Sequence, residues 1–379
     1  MQNKIPTKKL RVLLISPYFY PHFGGSQRYM EELYYNLMKT NPNVRVDVLC
    51  YNTDSSPARE KYRGFNIYRV PCIQILPGQF AVPNYLKLKK ILKELTAKYN
   101  YSFIHANTRF FESSWWAPFL AKRINARSIL TDHCAFHPQH QSKLIKYVAL
   151  LIDKFFVPYF LRKYNLVIAT NKSTANFIEK LVSIKPLIIY GGVDTHFFRP
   201  KGSETSDNGI VVSFVGRMIE SKGPQILLHV AEKILRERPD VSFLFAGDGP
   251  MLNKLKQRNN GKVSFLGSLE KKQIADLMKK TDILVHPSFH HEGFPNVLLE
   301  AGASGCAVIS TNQGGSGEII IHNQTGLLIE PTVEQITYHL TALIENSQQR
   351  QALGKALRQR IQEHFTWDNI IKEFQKILY

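Results

Sequence analysis

Short apolar runs that alternate with helical patterns are the feature that most constrains the fold of this chain. In the first half, these runs are LRVLLIS (10–16), VRVDVLC (44–50), YSFIHA (101–106), ARSILT (126–131), NLVIAT (165–170) and PLIIY (186–190). Runs of this length, separated by helical patterns, are typical of parallel strands that are covered by helices on both faces. The first half is therefore predicted to form a doubly wound α/β domain.

A second series of the same kind begins at residue 209. Its runs are GIVVSFVG (209–216), VSFLFAG (241–247), VSFLG (263–267), DILVHPS (282–288), AVISTN (307–312) and GLLIEP (326–331). Residues 191–209 are rich in Gly, Ser, Pro and Asp and have no periodicity, which favours a linker. We predict an N-terminal Rossmann-like domain over 1–195, a C-terminal one over 196–366, and a cleft between them. The final helical pattern, 367–379, is expected to return to the N-terminal domain.

The positive charge is concentrated in the N-terminal half. Residues 1–200 contain 29 Lys and Arg against 11 Asp and Glu, which is a net +18 of the formal net charge of +19. We expect this half to face an anionic surface, with a basic surface kept for solubility as the alternative. No apolar stretch approaches the roughly 20 residues that span a bilayer, so membrane contact would be peripheral. The four cysteines are scattered, which fits a reducing compartment and disfavours disulfides or a zinc site.

Two loops place glycines or cations where a predicted strand ends. PHFGGSQRYMEEL (21–33) carries Gly24 and Gly25 before a helix, whose N-terminal N–H groups can bind an anion. A plain tight turn explains these glycines equally well, and the loop lacks the G-x-G-x-x-G of dinucleotide sites. FVGRMIESKGPQILL (214–228) carries Arg217 and Lys222, and two fixed cations at the carboxyl end of a strand suit a diphosphate. A solvated loop is the alternative for this pair.

The stretch HHEGFPNVLLE (290–300) contains two glutamates. Pro295 suits the first turn of a helix, which puts Glu300 in the second turn and leaves Glu292 in the preceding loop. Even within one helix, this spacing separates the carboxylates by about 12 Å along the axis. An inverting glycosidase needs roughly 6.5–9.5 Å, so a hydrolytic pair is disfavoured. The backbone of 293–297 could instead bind an anion, with a carboxylate on either side for hydroxyl groups, as a nucleotide-sugar would require.

Taken together, the motifs resemble those of the family 4 group of retaining GT-B glycosyltransferases. They span nearly the whole chain: Gly-Gly (24–25), T-D-H (131–133), GGVD (191–194), G-R-x4-K-G (216–223), G-D-G-P (247–250) and E-G-F-P-N-V-L-L-E-A (292–301). The Glu-x7-Glu and G-R-x4-K-G motifs are the most specific. The resemblance implies a GT-B fold, in which two Rossmann-like α/β domains face each other across a cleft. It also implies a hexosyltransferase that retains the configuration of the transferred sugar.

The resemblance gives the charged residues of the C-terminal half roles in holding the donor. Arg217 and Lys222 would neutralise the donor diphosphate. Glu300 would bind the ribose hydroxyls, and Glu292 would bind the hydroxyls of the transferred sugar. The backbone that would cradle the phosphates belongs to Gly293, Phe294, Pro295, Asn296 and Val297.

In the N-terminal half, the resemblance implies that Gly24 and Gly25 close over the donor. It places His133, the last residue of T-D-H, beside the reacting sugar. A lone histidine at a strand end is otherwise structural, and His290 and His291 are interpreted as loop residues. The residues predicted to act in catalysis are His133, Arg217, Lys222 and Glu292.

Retention in this family is usually described as front-face attack, in which the acceptor hydroxyl approaches from the side of the leaving diphosphate. The diphosphate can take the acceptor's proton, so cations and helix N–H groups that stabilise the leaving group do the main work. The sequence has no D-x-D motif, and metal independence is therefore predicted. No cofactor is expected besides the nucleotide-sugar, which is a substrate, and a UDP-sugar is favoured over a GDP-sugar.

Three segments are candidates for the acceptor side: YLKLKKILKELTAKY (85–99), FFESSWWAPFLAKR (110–123) and KLIKYVALLIDKFFVPYFLRKY (143–164). Basic and aromatic amphipathic segments suit the anionic face of a membrane, and core-facing helices with solvated lysines are the alternative. With the charge, they predict a cytoplasmic enzyme bound peripherally to the inner face of the cell membrane. Its acceptor would be lipid-linked or a glycan, in surface polysaccharide or glycolipid biosynthesis. No nucleic-acid-binding module is recognisable.

Other functions are compatible with the same architecture. A nucleotide-sugar epimerase or a glycan phosphorylase is one alternative, although a phosphorylase would need a pyridoxal lysine and a longer chain. A non-catalytic nucleotide-sugar-binding homologue is another, which the intact Arg217, Lys222, Glu292 and Glu300 disfavour. The sequence leaves open the donor base and sugar, the acceptor, the linkage and the oligomeric state.

Overall fold

The structure, a computed structural model, describes residues 9–22, 24–76, 80–138, 142–201, 209–259, 261, 263–289 and 293–379. The chain divides into two compact units. The N-terminal unit comprises the chain up to Tyr190 together with Ile371–Tyr379, and the C-terminal unit comprises Gly191–Ile370. The predicted domain boundaries, at residues 195 and 366, are not tested by this division and remain predictions.

The N-terminal unit is built on an eight-stranded sheet in the order β10-β9-β8-β7-β1-β2-β4-β3, with a separate hairpin of β5 and β6. Every pairing in the large sheet is parallel except that of β3 with β4. The strands are β1 (Leu10–Ile15), β2 (Val44–Tyr51), β3 (Arg59–Tyr62), β4 (Phe65–Val70), β5 (Cys72–Leu76), β6 (Phe80–Pro83), β7 (Phe103–Asn107), β8 (Arg127–Asp132), β9 (Leu166–Ala169) and β10 (Leu187–Ile188).

All six apolar runs predicted in this half form strands, and the two in the middle of the sheet, β1 and β7, are almost entirely buried. Strands β3 to β6 were not predicted from the sequence. The edge strand β3 (REKY) consists mostly of charged residues, and polar residues interrupt the apolar ones in β4 (FNIYRV). Neither therefore contains the continuous apolar run that marks a strand covered on both faces. The helices are α1 (Gly25–Thr40), α2 (Tyr85–Lys98), α3 (Ser113–Arg123), α4 (Lys143–Leu151), α5 (Val157–Leu161) and α6 (Lys172–Val182), with a π-helical turn at Ile152–Phe156.

The C-terminal unit contains a six-stranded, wholly parallel sheet in the order β13-β12-β11-β14-β15-β16. Its strands are β11 (Ile210–Val215), β12 (Val241–Ala246), β13 (Val263–Gly267), β14 (Ile283–His286), β15 (Ala307–Thr311) and β16 (Leu327–Ile329). Its helices are α7 (Pro224–Glu237), α8 (Leu252–Arg258), α9 (Lys271–Lys280), α10 (Asn296–Ala303), α11 (Ser316–Ile319), α12 (Val333–Glu345) and α13 (Ser347–His364). The α/β class is thus confirmed in both units.

The last helix, α14 (Trp367–Leu378), contributes its C-terminal part to the N-terminal unit. Phe374 is fully buried there, with its ring centroid 5.7 Å from that of Tyr34 and 6.2 Å from that of His105. The Asn41 amide donates a hydrogen bond to the hydroxyl of Tyr379. These contacts fix the end of the chain to the helix α1 side of the unit.

The predicted linker is more anchored than its composition indicates. Val193 and Phe198 are buried, and Val193 N–H donates to the carbonyl of Phe365 within the C-terminal unit. Residues 202–208 lie outside the described residues. At least the part of the linker up to Phe198 therefore belongs to a packed structure.

The three segments considered for the acceptor side differ in burial. Helix α2 buries Leu88 and Leu95, which fits the core-facing alternative. The tryptophans of 110–123 pack inside the unit, with the Trp115 ring stacked on Phe160 at 5.8 Å. Helix α4, in contrast, has no buried residue at all. Within the parts of the chain that the structure describes, no helix combines the length and apolarity needed to cross a bilayer.

Candidate functional site

The order of the C-terminal sheet reverses between β11 and β14, so the loops that follow these two strands flank a topological switch point. In open parallel sheets, ligands bind at the carboxyl edge at such a point. The loop after β11 carries Arg217 and Lys222, and the chain after β14 leads to α10, which carries Glu300. The residues singled out in this half therefore belong to one edge of one sheet.

The Arg217 loop is fixed by the Gly-Asp-Gly loop that follows β12. Met218 N–H donates to the carbonyl of Asp248 at 2.8 Å, and Gly216 N–H donates to that of Ala246 at 3.0 Å. Gly247 has a φ of +138°, and a Cβ there would lie 1.9 Å from the carbonyl oxygen of Gly216. The backbones thus touch where a side chain would separate them.

The side chain of Arg217 takes no part in this backbone contact. It is exposed, and it makes no hydrogen bond or ion pair with any described residue. An unpaired guanidinium presents five N–H donors in a planar fork, which matches phosphate geometry. Arg217 is thus available to a bound anion.

The loop that carries Lys222 is held against the end of β14. Lys222 ends a short 3₁₀ turn and is followed by Gly223, which has a φ of +72°. Gly223 packs so closely against Pro287 that a Cβ would lie 2.3 Å from the Pro287 carbonyl oxygen. Phe289 N–H donates to the carbonyl of Ser221 at 3.0 Å. Lys222, which is partly buried, is therefore carried by a backbone that is fastened to the other side of the switch point.

Helix α10 begins one residue later than its sequence indicates. Pro295 is the residue before the first helical turn, with φ of −77° and ψ of 99°, rather than part of that turn. Its carbonyl accepts the first bond, from Leu298 N–H at 3.1 Å. The N–H groups of Asn296 and Val297 lie in the first turn, where no preceding helical carbonyl can accept from them. The partial positive charge of the helix N-terminus adds to their affinity for an anion.

The residues around the start of α10 have mixed positions. Gly293 is tied to the next loop, because its carbonyl accepts from Gly315 N–H at 2.8 Å, and the Phe294 ring packs 5.7 Å from Phe365. Glu300 lies in the second turn of α10, as predicted, and is partly buried. Glu292, His290 and His291 lie outside the described residues. The structure thus brings Arg217, Lys222, 293–297 and Glu300 to one sheet edge.

In the N-terminal unit, the sheet order reverses between β1 and β7. Helix α1 follows β1 and starts at Gly25, with Gly24 in an extended conformation before it. Gly25 is exposed, and a Cβ there would meet nothing within 4 Å, so packing within the described residues leaves space at this helix N-terminus. The predicted glycines therefore flank the start of α1 at the carboxyl edge of the sheet.

His133 follows β8 at the same edge and is held by a chain of hydrogen bonds. Its Nε2 lies 2.9 Å from Oδ1 of Asn107, whose Nδ2 donates to Oγ of Ser16 at 3.0 Å. The Ser16 hydroxyl donates to the carbonyl of Tyr18, so its oxygen accepts from Asn107. This order leaves Oδ1 of Asn107 as the acceptor and makes Nε2 of His133 the protonated nitrogen. The Nδ1 atom is then an acceptor for a ligand.

Burial keeps this histidine uncharged. Burial lowers the pKa of His133 to about 4, because the charged imidazolium is poorly solvated there. Burial likewise lowers the pKa of His105, a core histidine on β7, to about 3. His105 bonds the hydroxyl of Tyr34 at 2.6 Å and that of Thr131 at 2.8 Å. Both imidazoles are therefore neutral near pH 7, and His133 can offer a lone pair rather than a charge.

Sequence reasoning missed the partners of His133. Ser16 follows β1 and Asn107 ends β7, the two strands at the switch point. The ring centroids of Tyr29, on α1, and His133 are 5.1 Å apart in a T-shaped arrangement. Polar residues directly after two neighbouring buried strands, S-P at 16–17 and N-T-R at 107–109, were the available signal. No group of three or more His, Cys, Asp or Glu side chains that could hold a metal ion occurs among the described residues.

Comparison with known families agrees with this geometry. The model of the Glycosyltransferase Family 4 domain matches residues 23–197, and that of Glycosyl transferases group 1 matches residues 197–360. Together the two models cover residues 23–360, which include every strand described above except β1. The chain belongs to the family 4 glycosyltransferases. It is thus an enzyme of the transferase class, as the motifs implied.

Relatives and solved structures cover this glycosyltransferase almost from end to end. An uncharacterized glycosyltransferase of Methanocaldococcus jannaschii is 26% identical, over 98% of each chain. The gpi3 component of phosphatidylinositol N-acetylglucosaminyltransferase from Schizosaccharomyces pombe is 23% identical, over 96% of this chain and 79% of its own. Sucrose-phosphate synthase from Thermosynechococcus elongatus has a TM-score of 0.77 at 21% identity, over 97% of this chain and 98% of its own.

HepE of Anabaena, solved in complex with UDP and glucose, has a TM-score of 0.75 at 19% identity, over 97% of this chain and 99% of its own. At these identities the structural likeness defines the fold alone. The fold is GT-B with two Rossmann-like units, which confirms the fold implied by the motifs.

Proposed function

We propose that this glycosyltransferase moves a sugar from a UDP-sugar to a lipid-linked or glycan acceptor, with retention of configuration and without a metal ion. The observation that carries the proposal is the C-terminal switch point, where Lys222, the exposed Arg217 and the N-terminus of α10 lie at one edge of the sheet. Cations and helix N–H groups at such an edge suit a diphosphate. A relative of the same fold, HepE, was solved with UDP-glucose bound, which supports this class of donor.

Each group at the switch point has a role in holding the donor. Arg217 and Lys222 neutralise the diphosphate, and the first-turn N–H groups of α10 bind its oxygens. Glu300 accepts hydrogen bonds from the ribose hydroxyls, and Glu292 accepts them from the transferred sugar. The family motifs also assign Gly24 and Gly25 to donor binding. These assignments follow from the family motifs together with the positions of the described residues.

In the N-terminal unit, His133 binds the transferred sugar as a neutral acceptor. Its Nε2–H is used by Asn107, so Nδ1 is the atom left for a sugar hydroxyl. The acceptor hydroxyl attacks the anomeric carbon from the side of the departing diphosphate, which takes its proton. The chain needs no nucleophile for this step, and stabilisation of the leaving diphosphate lowers the barrier.

Glu300→Ala is expected to remove the hydrogen bonds to the ribose hydroxyls of the donor and so to abolish donor binding. In a thermal-shift panel of nucleotide-sugars, the wild type should be stabilised by at least one UDP-sugar, and the variant should lose that shift. The physical reason is that a ligand raises the stability of the folded protein only to the extent that it binds the folded protein. Glu334→Ala, at an exposed glutamate of α12 in the same unit, is the matched control and should keep the shift. An unchanged shift in Glu300→Ala would overturn the ribose assignment.

Transfer is expected to be unaffected by EDTA. The cations of the proposed site are side chains, which a chelator does not remove. The measurement is product formation from the preferred UDP-sugar after dialysis against EDTA, compared with an undialysed sample. Activity that is lost on dialysis and restored by Mn²⁺ would contradict metal independence.

We further propose that the enzyme works at the inner face of a cell membrane, in the synthesis of a surface polysaccharide or glycolipid. The apolar surface of α4, the π-helical turn and α5 supports this. Its large exposed side chains include Leu144 (72% exposed), Tyr147 (59%), Phe155 (64%), Phe156 (61%) and Tyr159 (54%). Lys143, Lys146, Lys154 and Lys163 accompany them in sequence, as expected for a segment that meets anionic lipid. The Schizosaccharomyces pombe relative is named as a subunit of phosphatidylinositol N-acetylglucosaminyltransferase, which supports a lipid acceptor.

Replacing Phe155 and Phe156 together by serine is expected to weaken binding to anionic vesicles by about tenfold or more, since two large apolar groups would no longer enter the lipid. The measurement is flotation with vesicles of phosphatidylglycerol and phosphatidylcholine at low and high salt. Tyr338→Ser, at an equally exposed aromatic residue of α12, is the control and should float like the wild type. Absence of salt-sensitive flotation in the wild type would contradict the membrane proposal.

A further inference from the structure

A fully buried arginine that no motif singled out lies beside the His133 loop, the described residues 133–138 that follow β8. Arg109 follows β7, and its side chain is fully buried. Its guanidinium donates to the carboxylate of Asp132, to the carbonyl of Cys134 at 2.8 Å and to that of Phe136 at 2.6 Å. Arg109 thus holds the residues on both sides of His133.

The same guanidinium is bound from the other side by Asp153. Its Nε donates to Oδ1 of Asp153 at 3.0 Å, and Nδ1 of His137 lies 2.6 Å from Oδ2 of that carboxylate. The Asp153 side chain is only 1% exposed. The buried arginine therefore joins two elements that are far apart in sequence.

Asp153 lies in the π-helical turn, whose neighbours in sequence, Phe155 and Phe156, face solvent. A π-helical turn has one more residue per hydrogen-bonded turn than an α-helix, so it changes which side chain faces inwards, and such turns are frequent at functional sites. Here it directs a carboxylate to Arg109 from a segment whose remaining large side chains form the proposed membrane surface. The π-helical turn thus carries both the contact with Arg109, through Asp153, and part of the proposed membrane surface, through Phe155 and Phe156.

We infer that Arg109 is a positioning residue for His133 and that Asp153 links this position to the segment 143–161, so that engagement of the segment by lipid stiffens the His133 loop. The inference deepens the proposed function and rests on it for the role of His133. The Coulombic bonds of a guanidinium between two buried carboxylates depend strongly on distance where water is excluded. A small displacement of the π-helical turn therefore changes the strength of the hydrogen bonds that Arg109 donates to Cys134 and Phe136.

The test is Asp153→Asn, which keeps the shape of the side chain and removes its charge. Amide hydrogen exchange of residues 133–138 should become about tenfold faster in this variant, because the loop loses one anchor. Anionic vesicles of phosphatidylglycerol and phosphatidylcholine should slow exchange of these residues in the wild type and have no such effect in the variant. The turnover number for transfer should fall by about tenfold, while the KM for the donor should change less, since only the transferred sugar, and not the diphosphate or the ribose, is proposed to contact His133.

Asp47→Asn is the matched control, since Asp47, on β2 of the same unit, is also a fully buried carboxylate; it is bound by Arg11 at 2.6 Å and by Tyr101 at 2.8 Å. It should lower the melting temperature without a selective effect on residues 133–138. Equal acceleration in both variants, or none in Asp153→Asn, would overturn the positioning role. If the wild-type protein floats with the vesicles but the exchange of residues 133–138 is unchanged, the link between the segment 143–161 and the His133 loop is overturned. Because exchange is measured without substrate, a failure of the proposed transfer reaction would be seen separately.

Discussion

Replacing Arg217 by methionine is expected to lower the turnover number for sugar transfer by about 10²–10³-fold. The guanidinium is exposed and unpaired among the described residues, so the substitution removes no internal contact of the fold. Its proposed partner is the leaving diphosphate, whose charge grows as the sugar departs. Removing one such donor from a transition state typically costs a factor of this size. Initial rates with the preferred UDP-sugar, together with the melting temperature, provide the measurement.

The control for this substitution is Arg236→Met, at an exposed arginine of α7. It removes the same charge from the same unit and should change the rate less than twofold. A turnover number that stays within about threefold of the wild type in Arg217→Met would show that the diphosphate does not depend on this side chain. A lowered melting temperature would instead indicate a structural role that the present geometry does not predict.

Gly247→Ala is expected to lower the free energy of unfolding of the C-terminal unit by more than about 3 kcal/mol. A Cβ would lie 1.9 Å from the carbonyl oxygen of Gly216, and backbone atoms cannot move aside as a flexible side chain can. Strained backbone and overpacking each cost roughly 1–3 kcal/mol. Urea unfolding of the variant, followed by tryptophan fluorescence and circular dichroism, provides the measurement.

Gly267→Ala separates the two causes. Gly267 also has a positive φ, of +69°, but a Cβ there would meet nothing within 4 Å. We expect this variant to lose only about 1 kcal/mol, from backbone strain alone. If both variants lost the same amount of stability, contact between the Gly216 and Gly247 loops would not be the cause.

Twelve of the fourteen strands in the two large sheets could be predicted from the sequence, because strands that are covered on both faces consist of continuous apolar runs. All twelve predicted runs became strands, and Glu300 fell in the second turn of its helix. The start of that helix was missed by one residue, since the favourable φ of Pro295 is the same just before a helix as in its first turn. Signals of this local kind therefore located the candidate donor site.

What could not be predicted depends on contacts between distant residues. Nothing in the local pattern around Arg109 indicates that it is buried, because its two carboxylate partners come from Asp132 and Asp153, on other elements. The order of hydrogen bonds through Ser16 and Asn107 that sets the tautomer of His133 is equally non-local. Periodicity also cannot separate α2 from α4, since an apolar helix face looks the same whether it meets a core or a lipid.

The return of α14 has a consequence for how the chain folds as it is synthesised. Domains generally fold in order from the N-terminus as they leave the ribosome. Phe374, which covers Tyr34 and His105, is made only after the whole of the C-terminal unit. The unit that is synthesised first is therefore completed last, with an uncovered core surface in the meantime. A fragment cut at residue 190 would keep that surface exposed permanently.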